Sequence, residues 1–221
     1  MEPKIIITGA TGMVGEGVLL ECLSHPDIAQ VLSVVRNPSG MEHPKLLELV
    51  VPDFNDLSSI KTQLTGYDAC FYCAGVSAVG MKETEYTRIT SDLTLYFAGT
   101  LAALNPGMVF CYISGQGTDS SEQGNQMWAR VKGKTENALT QLPFKNVYNF
   151  RPGLMKPTAG QKNIKTFMKI LSALYPVFKV LMPNSTCTLQ EVALALIASV
   201  KKGYPLQVLE VRDIKVLAKS A

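Results

Sequence analysis

Charge is scarce in this chain: only 18% of its 221 residues are Asp, Glu, Lys or Arg, and the formal net charge is +3. Charge that sparse and scattered builds no basic face, so nucleic acid is set aside as a partner. There are two histidines, His25 and His43, both in early connections, and no ligand-type cluster gathers around them; no metal site is expected. The five cysteines are an odd number without framework spacing. Cys70 and Cys73 come nearest to a motif, but strand residues three apart point to opposite faces, so these thiols share neither a metal nor a disulfide. They read as small core residues of a reducing compartment. No apolar run is long enough to cross a bilayer. The most apolar stretch, Phe167–Met182, is shorter than the roughly 18 residues a span needs and carries Lys169, Pro176 and Lys179. It reads as a buried helix, a lid over a substrate cavity or a subunit contact in preference to a membrane-surface helix. No basic-then-apolar leader precedes Ile5-Ile6-Ile7, so no signal or transit peptide is read and a cytoplasmic location is expected.

What is present is a large core. Hydrophobic residues make up 47% of the chain. A chain of this size fits one domain, expected over residues 1–221, and buries roughly 70% of its unfolded surface. Short β-branched runs alternate with helix-period segments, the pattern of a parallel sheet covered on both faces. Strands are expected at Lys4–Thr8, Val31–Val35, Leu47–Val51, Ala69–Cys73, Val109–Ser114, Val147–Phe150 and Gln207–Glu210. Helices are expected at Met13–Leu23, Leu57–Leu64, Glu83–Leu104, Gln126–Leu139, Lys165–Val180 and Leu189–Val200. The connection Arg36–Pro44, broken by Pro38, Gly40 and Pro44, is too short for a crossover helix.

The strongest signal is the turn Gly9-x-x-Gly12-x-x-Gly15, which an apolar strand enters and a helix leaves. Gly9 permits a sharp turn, and Gly12 leaves room for a pyrophosphate to reach bare amides at the start of the helix, around Met13 and Val14. Gly15 lets the helix pack closely on the sheet. Thr8 and Thr11 add hydroxyls near the same phosphates. The expected architecture is therefore an α/β fold: a Rossmann-type, doubly wound parallel sheet of about seven strands, with a substrate side around residues 153–190. At the end of the second strand a dinucleotide site for NAD(H) carries an acidic residue, but this chain has Arg36 there. A guanidinium suits a ribose 2′-phosphate, so NADP(H) is preferred, with NAD(H) as the alternative and an ordinary surface arginine as the plain reading.

Taken with Val51-Pro-Asp53-Phe54, Tyr72-Cys73-Ala74-Gly75, Tyr112-Ile-Ser114, Val131-Lys132-Gly133-Lys-Thr-Glu136 and Phe150-Arg-Pro-Gly153, the turn resembles the short-chain dehydrogenase/reductase superfamily. The chain is most similar to its small atypical NAD(P)H-binding members of the Tat-interacting-protein type, over about residues 4–200. The resemblance implies Asp53 and Phe54 beside the adenine, Ala74 and Gly75 at the adenine ribose, and Pro152 and Gly153 near the carboxamide. It implies Ser114 as the serine that hydrogen-bonds the reacting carbonyl and Lys132 as the lysine that holds the nicotinamide ribose. It also implies a tyrosine four residues before Lys132, where this chain has Trp128. An indole N–H donates a hydrogen bond but does not ionise usefully, so Trp128 is no general acid. It is left to stack on a flat ligand, close the cavity or pack the core. Tyr86, at the helix end bordering the cleft, is the substitute proton donor considered, and Gln116 and Thr118 are candidate substrate contacts. Two functions stay open. One is an oxidoreductase or epimerase-like enzyme acting on a small carbonyl or alcohol, the other an NADP(H) sensor acting through a protein partner. A homodimer through the helices at 83–104 and 126–139 is implied by the resemblance alone.

Overall fold

The computed structural model describes residues 2–164 and 174–221. Strand β1 (Lys4–Thr8) explains the architecture in miniature. Ile5 and Ile7 point into one core, Ile6 into the other, and all three are fully buried. With both faces covered, a strand reads as continuously apolar rather than alternating. The chain continues through α1 (Met13–Ser24), β2 (Gln30–Val35), β3 (Leu46–Val50), a 3₁₀ helix (Ser58–Leu64) and β4 (Ala69–Tyr72). Next come α2 (Glu83–Thr87), a π-helical turn (Arg88–Asp92), α3 (Leu93–Leu104), β5 (Val109–Ile113), α4 (Met127–Leu139) and β6 (Asn146–Arg151). Past the main sheet's sixth strand lie β7 (Leu154–Lys156), α5 (Tyr175–Leu181), β8 (Thr186–Thr188), α6 (Leu189–Lys202), β9 (Val208–Glu210) and α7 (Val211–Ala218).

Seven strands form one parallel sheet in the order β3-β2-β1-β4-β5-β6-β9, and β7 pairs with β8 beside it. Strand order reverses between β1 and β4, so the carboxyl ends of β1, β4 and β5 open onto the crevice where this fold receives ligands. One core packs α1, α6 and α7 on the sheet; the other packs the 3₁₀ helix, α3 and Leu139 of α4. Cys70 lies in the second core and Cys73 against the first, and all five cysteines are free. Among the described residues no helix is long and apolar enough to cross a membrane, and no group of His, Cys, Asp or Glu forms a metal cluster.

All seven expected strands form within two residues, and the 36–44 connection carries no helix. The helices need correction. Leu57–Leu64 is 3₁₀ rather than α: just before it, the Asp53 and Asp56 side chains accept from the amides of Asn55 and Ser58 and hold the backbone in turns. Glu83–Leu104 is not one α-helix, because the π turn interrupts it where Thr94 Oγ1 donates to the Thr90 carbonyl at 2.7 Å. Of Lys165–Val180, residues 165–173 lie outside the described residues, as does the first half of the apolar stretch at 167–182; Tyr175–Leu181 is helical. The β7–β8 pair and α7 were not anticipated. A capping box, Glu210 with Asp213, starts α7, and its buried Val211, Ile214, Leu217 and Ala218 recur at helical spacing.

Candidate dinucleotide and active site

The turn after β1 is built from close backbone approaches. Gly9 has φ +71°, and a β-carbon on it would stand 2.7 Å from the Ala74 nitrogen at the exit of β4. A β-carbon on Gly15 would meet the Gly9 carbonyl oxygen at 2.2 Å, so Gly15 serves the turn itself rather than packing on the sheet. Gly12 differs. Its β-carbon would touch nothing but the Gly9 oxygen, at 3.3 Å, and its backbone is extended. The protein leaves that space open. Gly12 begins α1 without any side-chain cap, so the amides of Met13 and Val14 keep the unpaired donors of a helix N-terminus. Thr11 is exposed beside them, but Thr8 is fully buried and its hydroxyl accepts from the Ala74 amide at 3.2 Å. Thr8 braces the turn and does not face a phosphate.

Arg36 stands exposed just past β2, and its guanidinium has no hydrogen bond or ion pair among the described residues. Asp53 is exposed, and hydrogen bonds from Asn55 hold its carboxyl below the usual carboxylate range. Phe54 corrects the expectation for the adenine: its ring is 8% exposed and stacks on Phe97 at 5.7 Å, so it belongs to the core. Ala74 is half-buried, and Gly75 faces open space.

At the carboxyl end of β5 several polar side chains gather. Ser114 Oγ lies 2.9 Å from Thr118 Oγ1, which donates its only proton to the Gly115 carbonyl at 2.8 Å. Ser114 is then the donor of the pair, and turning the Thr118 proton toward it would release the serine proton for a bound carbonyl. Lys132 Nζ, on α4, donates to the carbonyls of Ile113 and Ser114 at 3.3 and 3.2 Å and sits 5.2 Å from the Tyr112 ring centroid. Burial pushes its ammonium down to about 8, against the upward pull of the Glu136 carboxylate one turn along. Trp128, one turn before Lys132, is half-buried, and a β-carbon on Gly117 would stand 3.5 Å from its Cη2; the indole packs under the loop after β5.

Four more of the expected contacts have partners within the fold. Tyr86 is 2% exposed, and burial raises its phenol above the ordinary value, so it is sealed from the crevice and poorly suited to give a proton. Gln116 Nε2 donates to the Asn184 carbonyl and Ser185 Oγ, tying the loop to the β8 side. The lack of a side chain at Gly153 is explained by the Ser185 carbonyl, which a β-carbon would meet at 2.2 Å, and Pro152 is buried beside it.

Sequence reasoning missed a buried ion pair. Arg151 donates to both oxygens of Glu136 at 3.0 and 2.5 Å, and also to Ser120 Oγ and to Glu210. An arginine at the end of β6, whose residues 147–150 are buried, was the available signal, since a strand buried on both faces holds a charge only with a partner. It also missed Glu16, whose buried carboxylate is described below.

The turn fits a dinucleotide. It offers an uncapped helix start, a Gly12 whose β-carbon would meet only the Gly9 oxygen, an exposed arginine at the β2 end with no partner among the described residues and an open Gly75 at the β4 end. A family model described as NAD dependent epimerase/dehydratase family matches residues 5–121. The chain is similar to the mitochondrial protein fmp52 of Emericella nidulans, at 30% identity over 72% of this chain and 68% of the relative. It is also similar to HTATIP2 of Rattus norvegicus, at 27% identity over 69% of this chain and 62% of that one. Among solved structures, it superposes on the Bordetella bronchiseptica enzyme WbmF in complex with NAD+ with a TM-score of 0.67 at 16% identity, over 99% of this chain and 78% of that one. The Helicobacter pylori ADP-L-glycero-D-manno-heptose-6-epimerase gives 0.69 at 14% identity, over 99% and 82%. At such identities the likeness is one of fold.

Proposed function

Because the chain belongs to the NAD dependent epimerase/dehydratase family, we propose that it is an NADP(H)-binding oxidoreductase or epimerase-like enzyme acting on a small carbonyl or alcohol. The observation that carries this reading is Lys132, a half-buried lysine of α4 whose ammonium lies 3.2 Å from the Ser114 carbonyl at the end of β5 and is brought down to about 8 by desolvation. A buried lysine costs stability, and such perturbed groups cluster where chemistry needs them. The amides of Met13 and Val14 would hold the pyrophosphate, Arg36 the 2′-phosphate, and the open Gly75 the adenine ribose. Bound there, the nicotinamide supplies hydride exchange at a carbon centre.

The chain's own residues supply the rest. Ser114, once Thr118 turns its proton inward, donates to the substrate oxygen and polarises the carbonyl. Lys132 holds its proton at Nζ against the Ile113 and Ser114 carbonyls, and at about 8 the ammonium is closer to giving it up at neutral pH than an ordinary lysine is. Trp128 and Tyr86 move no proton, the first because an indole does not ionise, the second because it is sealed.

Replacing Lys132 by Ala should abolish NADPH oxidation against a panel of small carbonyls while the fold survives. Turnover unchanged by that substitution would sink the reading. Trp128 supports one other reading, an NADP(H) sensor working through a protein partner. Tight NADPH binding with no turnover across the whole panel would select it.

A further inference from the structure

We propose that Glu16 is a positioning residue for the dinucleotide, and that the segment Thr158–Asn163 clasps the pyrophosphate turn by occupying its carboxylate. The inference rests on the dinucleotide reading above.

Glu16 stands in the first turn of α1, one helical turn from Gly12, and is 3% exposed. Its Oε1 accepts the Lys162 amide at 2.7 Å and its Oε2 the Asn163 amide at 2.8 Å. Among the described residues its partners are these two backbone amides, and no lysine or arginine pairs with it. Gln161 completes the attachment. Its Nε2 donates to the Met13 carbonyl at 2.6 Å, and its Oε1 accepts the Thr158 amide at 2.7 Å. The absent side chain at Gly17 makes room for it, since a β-carbon there would press within 3.1 Å of Gln161 Oε1. Each of these bonds lands on Met13 or Glu16, or braces the residue that does, immediately beyond the turn that offers amides to a pyrophosphate.

The placement is electrostatically awkward without the clasp. The positive end of the helix dipole attracts any anion, so a free carboxylate in the first turn competes with bound phosphates and repels them. Docking of Lys162 and Asn163 gives each carboxylate oxygen an amide donor, which offsets part of its charge and holds it against the flank of the helix. The docked segment therefore favours the dinucleotide, and by reciprocal linkage the dinucleotide favours the docked segment. The segment begins two residues past β7, which pairs with β8, so the clasp also joins the substrate side to the cofactor turn.

The test is NADPH and NADH affinity of the full chain, read by fluorescence titration. Gln161→Ala, which loosens the clasp and leaves Glu16 charged, should raise both dissociation constants at least tenfold. Adding Glu16→Gln to that variant should recover most of the loss, because the freed group no longer carries charge. If Glu16 is only a structural cap, the double variant binds more weakly than Gln161→Ala alone, and the proposal is overturned. Hydrogen exchange on the unmodified chain gives a second reading, independent of whether the variants fold. Saturating NADPH should slow exchange at the Lys162 and Asn163 amides, and unchanged exchange overturns the clasp. An unmodified chain that binds neither nucleotide overturns the dinucleotide reading itself, and the clasp with it.

Discussion

Arg151 grips both carboxylate oxygens of Glu136, and through that carboxylate it reaches Lys132 one turn away. The pair is almost entirely buried, so its partners are not interchangeable with solvent. Arg151→Met should cost about 3–5 kcal/mol, because Glu136 is left charged and unmatched in the interior. Urea denaturation at pH 7 checks this; a loss below about 1 kcal/mol would mean the carboxylate finds water instead.

Lys132 gives the fold a pH signature. Its folded value of about 8 lies below the ordinary 10.5, so between those two values the unfolded chain binds the extra proton and stability rises with pH. The gain from this group is about 3 kcal/mol across that window. Comparing unfolding free energies at pH 8 and pH 10 for the unmodified chain and for Lys132→Met isolates it. Equal slopes for the two proteins would show that the ammonium is not destabilised by burial.

Gly12 and Gly15 should separate binding from folding. Gly12→Ala meets only one atom at 3.3 Å, so its melting temperature should stay within a few degrees while NADPH affinity falls more than tenfold. Gly15→Ala collides with the Gly9 carbonyl at 2.2 Å and should lose the fold as well. Calorimetry of both variants decides the matter; a Gly12→Ala chain that binds NADPH normally would place the pyrophosphate elsewhere.

Arg36→Ala should weaken NADPH by roughly ten- to a hundredfold, the worth of charge-assisted hydrogen bonds to a 2′-phosphate, and leave NADH nearly unchanged. An equal loss for both nucleotides would remove Arg36 from the phosphate.

Trp128→Tyr restores an ionisable group one turn from Lys132, on the same face of α4. Carbonyl reduction should rise by roughly a hundredfold, the lower end of what a placed general acid contributes. Steady-state turnover with NADPH measures it, and a rate no higher than that of the unmodified chain would place position 128 outside the proton path.

The sheet was legible because a strand covered on both faces writes itself as an unbroken apolar run, as Ile5-Ile6-Ile7 does. The glycine turn was legible for a related reason, since backbone approaches of under 3 Å exclude every side chain at Gly9 and Gly15. Roles that depend on where a side chain points were not. Thr8 and Phe54 stand at the right positions along the chain, yet one is turned into the β1–β4 seam and the other into Phe97. The partners Glu136 and Arg151 are 15 residues apart in sequence and meet only because β6 lies under α4. Glu16 and Asn163, 147 residues apart, meet only because the chain past β7 returns across α1.

Gly133 carries a consequence for how such a pocket changes over time. A β-carbon at that position would lie 1.8 Å from the Asp119 carbonyl oxygen, so the loop leaving β5 rests directly on the backbone of the helix that bears the ammonium. Lengthening that loop would push on the helix and shift Lys132 with it. Changes in length are therefore expected to concentrate away from the loop between β5 and α4, where no such backbone contact has to be kept.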